Sequence, residues 1–292
     1  MPGRVFAVKR LHSDKREDFD REVEVMRMLS HAVHPHLISL LATYEQHGTL
    51  NLIFNWADCN LMEYWRDTNS NPVVDEATVL WMAEQCRGIA DGLWLISKLG
   101  VTPESHKGDQ TSSPPRELSR HGDIKPENIL WFSSQEGRDG RGTLKIADFS
   151  NADVHDAESG RLLAERPMVF SPTYRPPEWD VPDYTSSASH DIWALGCLYL
   201  EFITWGLGGW SLVDEFSRSR VAPDELLQIP SDCFYELTKS TVAGQVYTAA
   251  AIKPSVTQVC HPQQNPQSTI LMHIPIVYHQ TAQPPKLHRL LP

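Results

Sequence analysis

The sequence predicts a mixed α+β fold, strand-rich before residue 57 and helix-rich beyond it. Short apolar segments with strand character lie at 4–11, 40–44 and 50–56, the last two facing each other across His47-Gly48. A long amphipathic stretch follows at 75–99, with Val79, Met82, Cys86, Ile89, Leu93 and Ile96 near three-to-four spacing. An apolar run at 192–210 supplies a second long helix.

Composition sets the outer limits. A chain of 292 residues with 41% hydrophobic content and nine Trp has ample material for a sizeable core. The net charge of -11 and a pI near 5.6 argue against nucleic-acid and membrane-surface partners, since the basic residues form no long run. Cys59, Cys86, Cys197, Cys233 and Cys260 are far apart with no C-x-x-C pair, so they read as reduced thiols in a cytoplasmic or nuclear protein. No apolar leader marks secretion. The run at 192–210 carries Glu201 and three glycines near its end, which suits a buried core helix better than a bilayer span.

In chain order, residues 4–11 alternate Phe6 and Val8 with Ala7 and Lys9, a short strand ending in a lysine. Residues 19–29 place Phe19, Val23, Met26 and Leu29 at helical spacing behind the cap candidates Ser13 and Asp14. Residues 97–119 change to Pro, Ser, Thr, Gly and charge and read as a flexible insertion. A second polar, Gly-rich break at 133–142 separates the apolar strands 129–132 and 144–146, which pair as a hairpin. Residues 151–169 are polar and irregular, and 258–292 are Pro/Gln/His-rich without helical period, a composition that favours disorder.

The densest chemistry lies at 120–130. An Asp beside a Lys can accept a hydroxyl proton while the Lys neutralises charge on a transferring phosphoryl group, and the Asn after them can ligate a hard divalent cation. Asp123, Lys125 and Asn128 form such a set, and Asp148 adds a second carboxylate from the strand that follows.

These residues resemble the motifs of the eukaryotic-type protein kinase domain. The loop from His121 to Asn128 is similar to H-R-D-x-K-x-x-N, with Gly122 in place of Arg, and Asp148-Phe149-Ser150 resembles D-F-G with Ser for Gly. Phe6-Ala7-Val8-Lys9 resembles the V-A-I-K strand. The stretch from Ser171 to Glu178 is similar to T-x-x-Y-x-A-P-E, and Asp191-Ile192-Trp193 resembles the start of the central helix of the large lobe. The residues Lys125-Pro126-Glu127-Asn128 point to the Ser/Thr class, and the wider pattern resembles kinase-domain proteins of filamentous fungi.

The resemblance implies a bilobal fold and an ATP-dependent transfer to Ser/Thr of protein substrates. It implies a partial N-lobe over 1–57, a C-lobe over 58–257 with insertions near 97–119 and 133–142, and an irregular tail at 258–292. Asp123 and Lys125 become the catalytic pair, and Asn128 and Asp148 the Mg²⁺ ligands. Lys9 and Glu22 order the α/β-phosphates of ATP, with Glu24 the competing partner for Lys9. Phe54 guards the back of the nucleotide pocket, Asn55, Trp56 and Ala57 form the adenine-contacting hinge, and Asp191 is scaffold.

In the Thr position, Ser171 orients Lys125 and the incoming substrate. The pattern also expects a Gly-rich hairpin well before Lys9, where this chain has only eight residues, and an Arg partner for Glu178 that only Arg289 could supply near the C-terminus. Truncation at both ends is therefore expected, with a kinase-shaped binding or scaffold protein of little turnover as the alternative. With Gly122 in the Arg position, any activity is expected not to depend on phosphorylation of the activation loop.

Overall fold

The computed structural model describes residues 5–11, 16–30, 33–101, 116–133, 141–156, 171–180, 189–224, 228–242 and 245–259. The fold is mixed α+β. Its first sheet contains β1 (Phe6–Leu11), β2 (Leu40–Gln46) and β3 (Thr49–Asn55), antiparallel in the order β1-β3-β2, with α1 (Arg16–Ser30) between β1 and β2 in sequence. The expected hairpin at His47-Gly48 joins β2 to β3. Because strand side chains alternate between faces, β1 presents Ala7, Lys9 and Leu11 to the more covered side and leaves Phe6 and Val8 42% and 46% exposed. One face of α1 supplies Val25, Met26, Met28 and Leu29 to the main core, while the cap candidates Ser13 and Asp14 lie outside the described residues.

After β3, β4 (Cys59–Asn60) pairs with β7 (Ile129–Phe132), which pairs with β8 (Thr143–Ile146). The hairpin read at 129–146 thus forms, and 134–140 lie outside the described residues. A one-turn helix α2 (Leu61–Glu63) is closed by a capping box between Asn60 and Glu63. The long helix α3 (Glu76–Ile96) starts where the Asp75 carboxylate accepts the Thr78 N–H at 2.7 Å.

Its inner face carries two glycines among Trp81, Ile89, Leu93 and Ile96. They form notches for the turn at 34–37: a methyl on Gly88 would lie 2.1 Å from the His36 ring, and one on Gly92 3.2 Å from Leu37 and 3.3 Å from His34. The same turn is tied to β8 by Ile38 N–H to Ile146 O at 2.9 Å and Ile146 N–H to His36 O at 2.8 Å.

The structure differs from expectation at 97–119. Both flanks of that insertion pair as strands: β5 (Gly100–Val101) joins β6 (Arg116–Arg120), and β6 joins β9 (Asp153–Asp156). Backbone groups in polar segments still require hydrogen-bond partners, and the chain after Phe149 supplies them. Residues 102–115 lie outside the described set.

The apolar run at 192–210 is the first half of α4 (Ser189–Arg220), long and apolar enough to cross a membrane by length and composition. Most of its apolar window is buried against the rest of the protein instead, with Phe202 and Trp205 among Tyr64, Trp65 and Trp81. Helical geometry breaks at Gly209 (φ 68°, ψ -165°), where any side chain would collide with Ser70 O at 2.2 Å and where Trp210 N–H reaches that same carbonyl.

Beyond α4 the chain forms β10 (Ala222–Pro223) paired with β11 (Pro230–Ser231), then the hairpin β12 (Tyr235–Val242) and β13 (Gln245–Ile252). A terminal helix α5 (Pro254–Val259) carries helical structure two residues into the stretch read as irregular; 260–292 lie outside the described residues.

Gly88→Ala is expected to destabilise the protein by about 1–3 kcal/mol, although alanine alone would favour the helix by roughly 1 kcal/mol. The His36 ring cannot swing away freely, because its Nδ1 is held at 2.8 Å from Leu144 O. Thermal or urea denaturation of the full chain checks this.

Candidate active site

The loop that follows β6 is fixed from beneath. The Asp191 carboxylate, at the start of α4 and 4% exposed, accepts the backbone N–H of His121 at 2.6 Å and of Gly122 at 2.9 Å. Burial pushes the Asp191 carboxyl above its ordinary range, against the pull of His121, the two N–H donors and Arg120. The His121 ring is fully buried, edge-on to Phe149 at 4.8 Å, and its two nitrogens bridge Ala147 O at 3.0 Å and the Asp123 N–H at 3.2 Å. Since Asp123 N–H donates to Nδ1, the proton belongs on Nε2, facing the carbonyl.

Gly122 occupies φ +85°, and a side chain there would meet Asn151 O at 2.5 Å. The position that the resemblance assigns to Arg therefore has neither the backbone conformation nor the space for one.

Above this base, Asp123 is held on both oxygens. Its Oδ2 lies 2.8 Å from Lys125 Nζ and 2.9 Å from Asn128 Nδ2, and its Oδ1 accepts the Ser171 hydroxyl at 3.1 Å. Lys125 Nζ also donates to Ser171 Oγ at 3.0 Å. A short 3-10 turn (Pro126–Asn128) brings Asn128 back under Asp123, whose backbone carbonyl takes a second bond from Asn128 Nδ2 at 2.8 Å. Both side-chain bonds of Asn128 to described residues thus use its amide nitrogen and leave Oδ1 as an acceptor.

A cleft of about 420 Å³ opens between β1–β3 and the segment 127–148. Lys9, Glu22, Phe54, Asn55, Trp56, Ala57, Asn128 and Asp148 all line it. Lys9 Nζ sits 2.6 Å from Glu22 Oε1 and 2.8 Å from Asp148 Oδ1. Burial alone would pull the Lys9 ammonium down, but Asp148 and Glu22 outweigh it and leave it above its ordinary value. For Asp148, burial pushes the carboxyl up, and Lys9 and Ser150 outweigh that to hold it below the usual range. Of the two candidate partners for Lys9, Glu22 is the one that meets it, while Glu24 pairs with Arg27 at 3.2 Å.

Several contacts were not foreseen from the sequence. Asp148 adopts φ +62°, a left-handed conformation uncommon outside glycine, and Ser150 Oγ donates to its Oδ1 at 2.8 Å. Glu178 is exposed and makes no ion pair among the described residues. The end of the segment is anchored instead by Arg175, which lies 3.0 Å from Asp180 and 2.6 Å from Asp224, with all three side chains almost fully buried. Tyr174 donates to Glu201 at 2.6 Å, and Glu201 pairs with the buried Arg220 at 2.7 Å. Of these groups only Glu201 is flagged by the sequence, as an acid within the apolar run at 192–210.

Two outcomes follow from the buried polar base. Asp191→Ala leaves two backbone donors without an acceptor and should lower stability by about 2–5 kcal/mol, read by urea denaturation. His190 accepts from Arg120 at 2.6 Å, and burial followed by the Arg120 charge pushes its imidazole down to about 4 from 6.5. The unfolded chain then binds a proton that the folded chain does not, so this contribution is complete above pH 6.5 and is lost as pH falls toward 4. The urea midpoint should fall less between pH 7 and pH 4.5 for His190→Gln than for wild type.

Residues 117–211 match the family described as protein kinase domain. The chain is 28% identical to the mouse (Mus musculus) cyclin-dependent kinase-like 4 over 210 residues, covering 69% of this chain and 50% of that protein. It is 24% identical over 295 residues to a probable serine/threonine-protein kinase of Dictyostelium discoideum, covering 99% of this chain and 49% of that protein. Identity to cyclin-dependent kinase E-1 of Arabidopsis thaliana is 25% over 213 residues, covering 70% of this chain and 39% of that protein. The chain spans about half the length of the first of these relatives.

Proposed function

We propose that this chain is an ATP-dependent protein kinase acting on Ser or Thr side chains of protein substrates, in a cytoplasmic or nuclear setting. The similarity to protein kinase domains supports the reaction class. The observation that carries the reading is the convergence of Lys9, Glu22, Asn128 and Asp148 on one cleft, with Asn128 bonded to Asp123 and Lys125 paired with that same carboxylate. In this reading residues 1–57 and 58–257 form the two lobes that flank the cleft.

The donor set fits a nucleotide with Mg²⁺. Asn128 Oδ1 and Asp148 Oδ2 make no hydrogen bond in the described structure, and two hard oxygens that leave room for phosphate oxygens and water suit Mg²⁺. When bound, Mg²⁺ neutralises charge on the β- and γ-phosphates. Lys9, held by Glu22, offers its ammonium to the α/β-phosphates. Asn55, Trp56 and Ala57 offer the base edge a backbone lining behind Phe54.

Asp123 orients the substrate hydroxyl and accepts its proton on the carboxylate. Lys125 places its charge beside the same carboxylate, where it would neutralise charge on a transferring phosphoryl group. Ser171 holds both, through Oδ1 of Asp123 and Nζ of Lys125. A kinase-shaped binding protein is the second reading, favoured by the departures at Gly122 and Ser150.

Asp123→Asn should reduce phosphoryl incorporation into mixed Ser/Thr peptides by about 10²–10⁴-fold while nucleotide binding persists. A nucleotide-induced melting shift without incorporation by the wild-type protein would select the binding-protein reading.

Activity should also survive phosphatase treatment. Gly122 provides no cation for a loop phosphate, Arg120 is buried against His190, and Arg175 is engaged by Asp180 and Asp224. Loss of incorporation after dephosphorylation would contradict this.

A further inference from the structure

The carboxylate of Asp148 stands in an unusual mechanical position. Its backbone is left-handed at φ +62°, and its side chain is 41% exposed at the edge of the cleft, so packing alone does not select its orientation. The neighbour on one side, Phe149, is fully buried against His121 and anchors the segment. Among the described residues, the hydrogen bonds that orient the carboxylate all reach a single oxygen. Oδ1 accepts from Lys9 Nζ at 2.8 Å, from Ser150 Oγ at 2.8 Å and, weakly, from Ser150 N–H at 3.4 Å.

The two strong donors are not equivalent. Lys9 belongs to β1, on the far side of the cleft, and its ammonium is shared with Glu22. In the kinase reading it is also the cation that the phosphates attract, so its hold on Asp148 competes with its hold on the nucleotide. Ser150 lies two residues along the same backbone, on the same segment as the carboxylate that it holds. A serine hydroxyl returning to the carboxylate two residues before it closes a small local ring, a geometry that short polar side chains adopt readily. The bond is charge-assisted and therefore among the stronger hydrogen bonds available to a hydroxyl.

We propose that Ser150 is a positioning residue for the cation site: its hydroxyl pins Oδ1 of Asp148 so that Oδ2 is reserved for Mg²⁺ before the nucleotide arrives. The role rests on the nucleotide-binding reading above. It gives the serine a chemical task at a position where glycine would leave the carboxylate free to rotate once Lys9 turns toward a phosphate. The hydroxyl acts through Asp148 and touches no reacting atom.

Isothermal titration of the full chain with a non-hydrolysable ATP analogue, across a Mg²⁺ series and in EDTA, tests it in wild type, Ser150→Ala, Ser150→Gly and Ser150→Thr. The Mg²⁺ concentration giving half-maximal enhancement of binding should rise about tenfold in the Ala and Gly variants, as expected for losing one charge-assisted bond. The Thr variant, which keeps the hydroxyl, should return close to wild type. Affinity in EDTA should be alike in all four. A cation dependence in Ser150→Ala equal to wild type would overturn the role of Ser150 alone, as would a matching loss of affinity in EDTA. Absence of Mg²⁺-dependent binding in wild type would overturn the nucleotide reading and this role together.

Discussion

The carboxylate of Asp191 and the two backbone N–H groups that it receives set the terms for everything above them. A charged group so deeply buried is costly unless its lone pairs are filled, and His121 and Gly122 fill them from the loop that carries Asp123. The cost of burying the carboxylate is offset only if the loop takes one conformation, so α4 and the loop constrain each other. Through the His121 ring, the same constraint reaches Ala147 and Phe149, and so the segment that presents Asp148.

The upper wall of the cleft is joined to this base electrostatically. Lys9 is the bridge: it ties α1 through Glu22 and the 147–150 segment through Asp148, although these groups are far apart in sequence. An ammonium shared by two carboxylates leaves a surplus negative charge in the cleft, which a cation bound at Asn128 and Asp148 would relieve. A second buried acid, Glu201, links Tyr174 to Arg220, whose guanidinium is sandwiched between Phe216 and Phe234 at 4.1 and 4.0 Å. The protein thus uses α4 twice as a source of buried acids, once beneath the loop at 121–128 and once beneath the segment at 171–180.

What was legible in the sequence follows physical logic. The helix Glu76–Ile96 and the hairpin at Ile129–Ile146 announce themselves through period and apolar content, and the loop at 121–128 through crowded chemistry. The β1 strand was legible as a strand, and the role that the resemblance gives Lys9 requires that side chain to face the cleft. The structure turns Lys9 inward because its charge is satisfied by Glu22 and Asp148. The β6–β9 pairing was hidden because it joins two polar segments through backbone bonds that side chains do not advertise. The hairpin Tyr235–Ile252 was missed for lack of clean alternation in its Thr- and Ala-rich strands. The substitute anchor at Arg175 was missed because Asp180 and Asp224 come together only after α4 has turned the chain.

Gly122 closes a route as well as occupying one. Its left-handed backbone lets Asn151 O lie 2.5 Å from where a side-chain carbon would stand, closer than non-bonded contact allows, so a cationic side chain cannot be placed here by exchanging one residue. The backbone around Asn151 would have to yield first, and it yields against the Asp191 bonds that shape the whole loop. Installing an arginine at position 122 therefore takes at least two coupled alterations, one in the backbone around Asn151 and one at the residue itself, and neither works without the other.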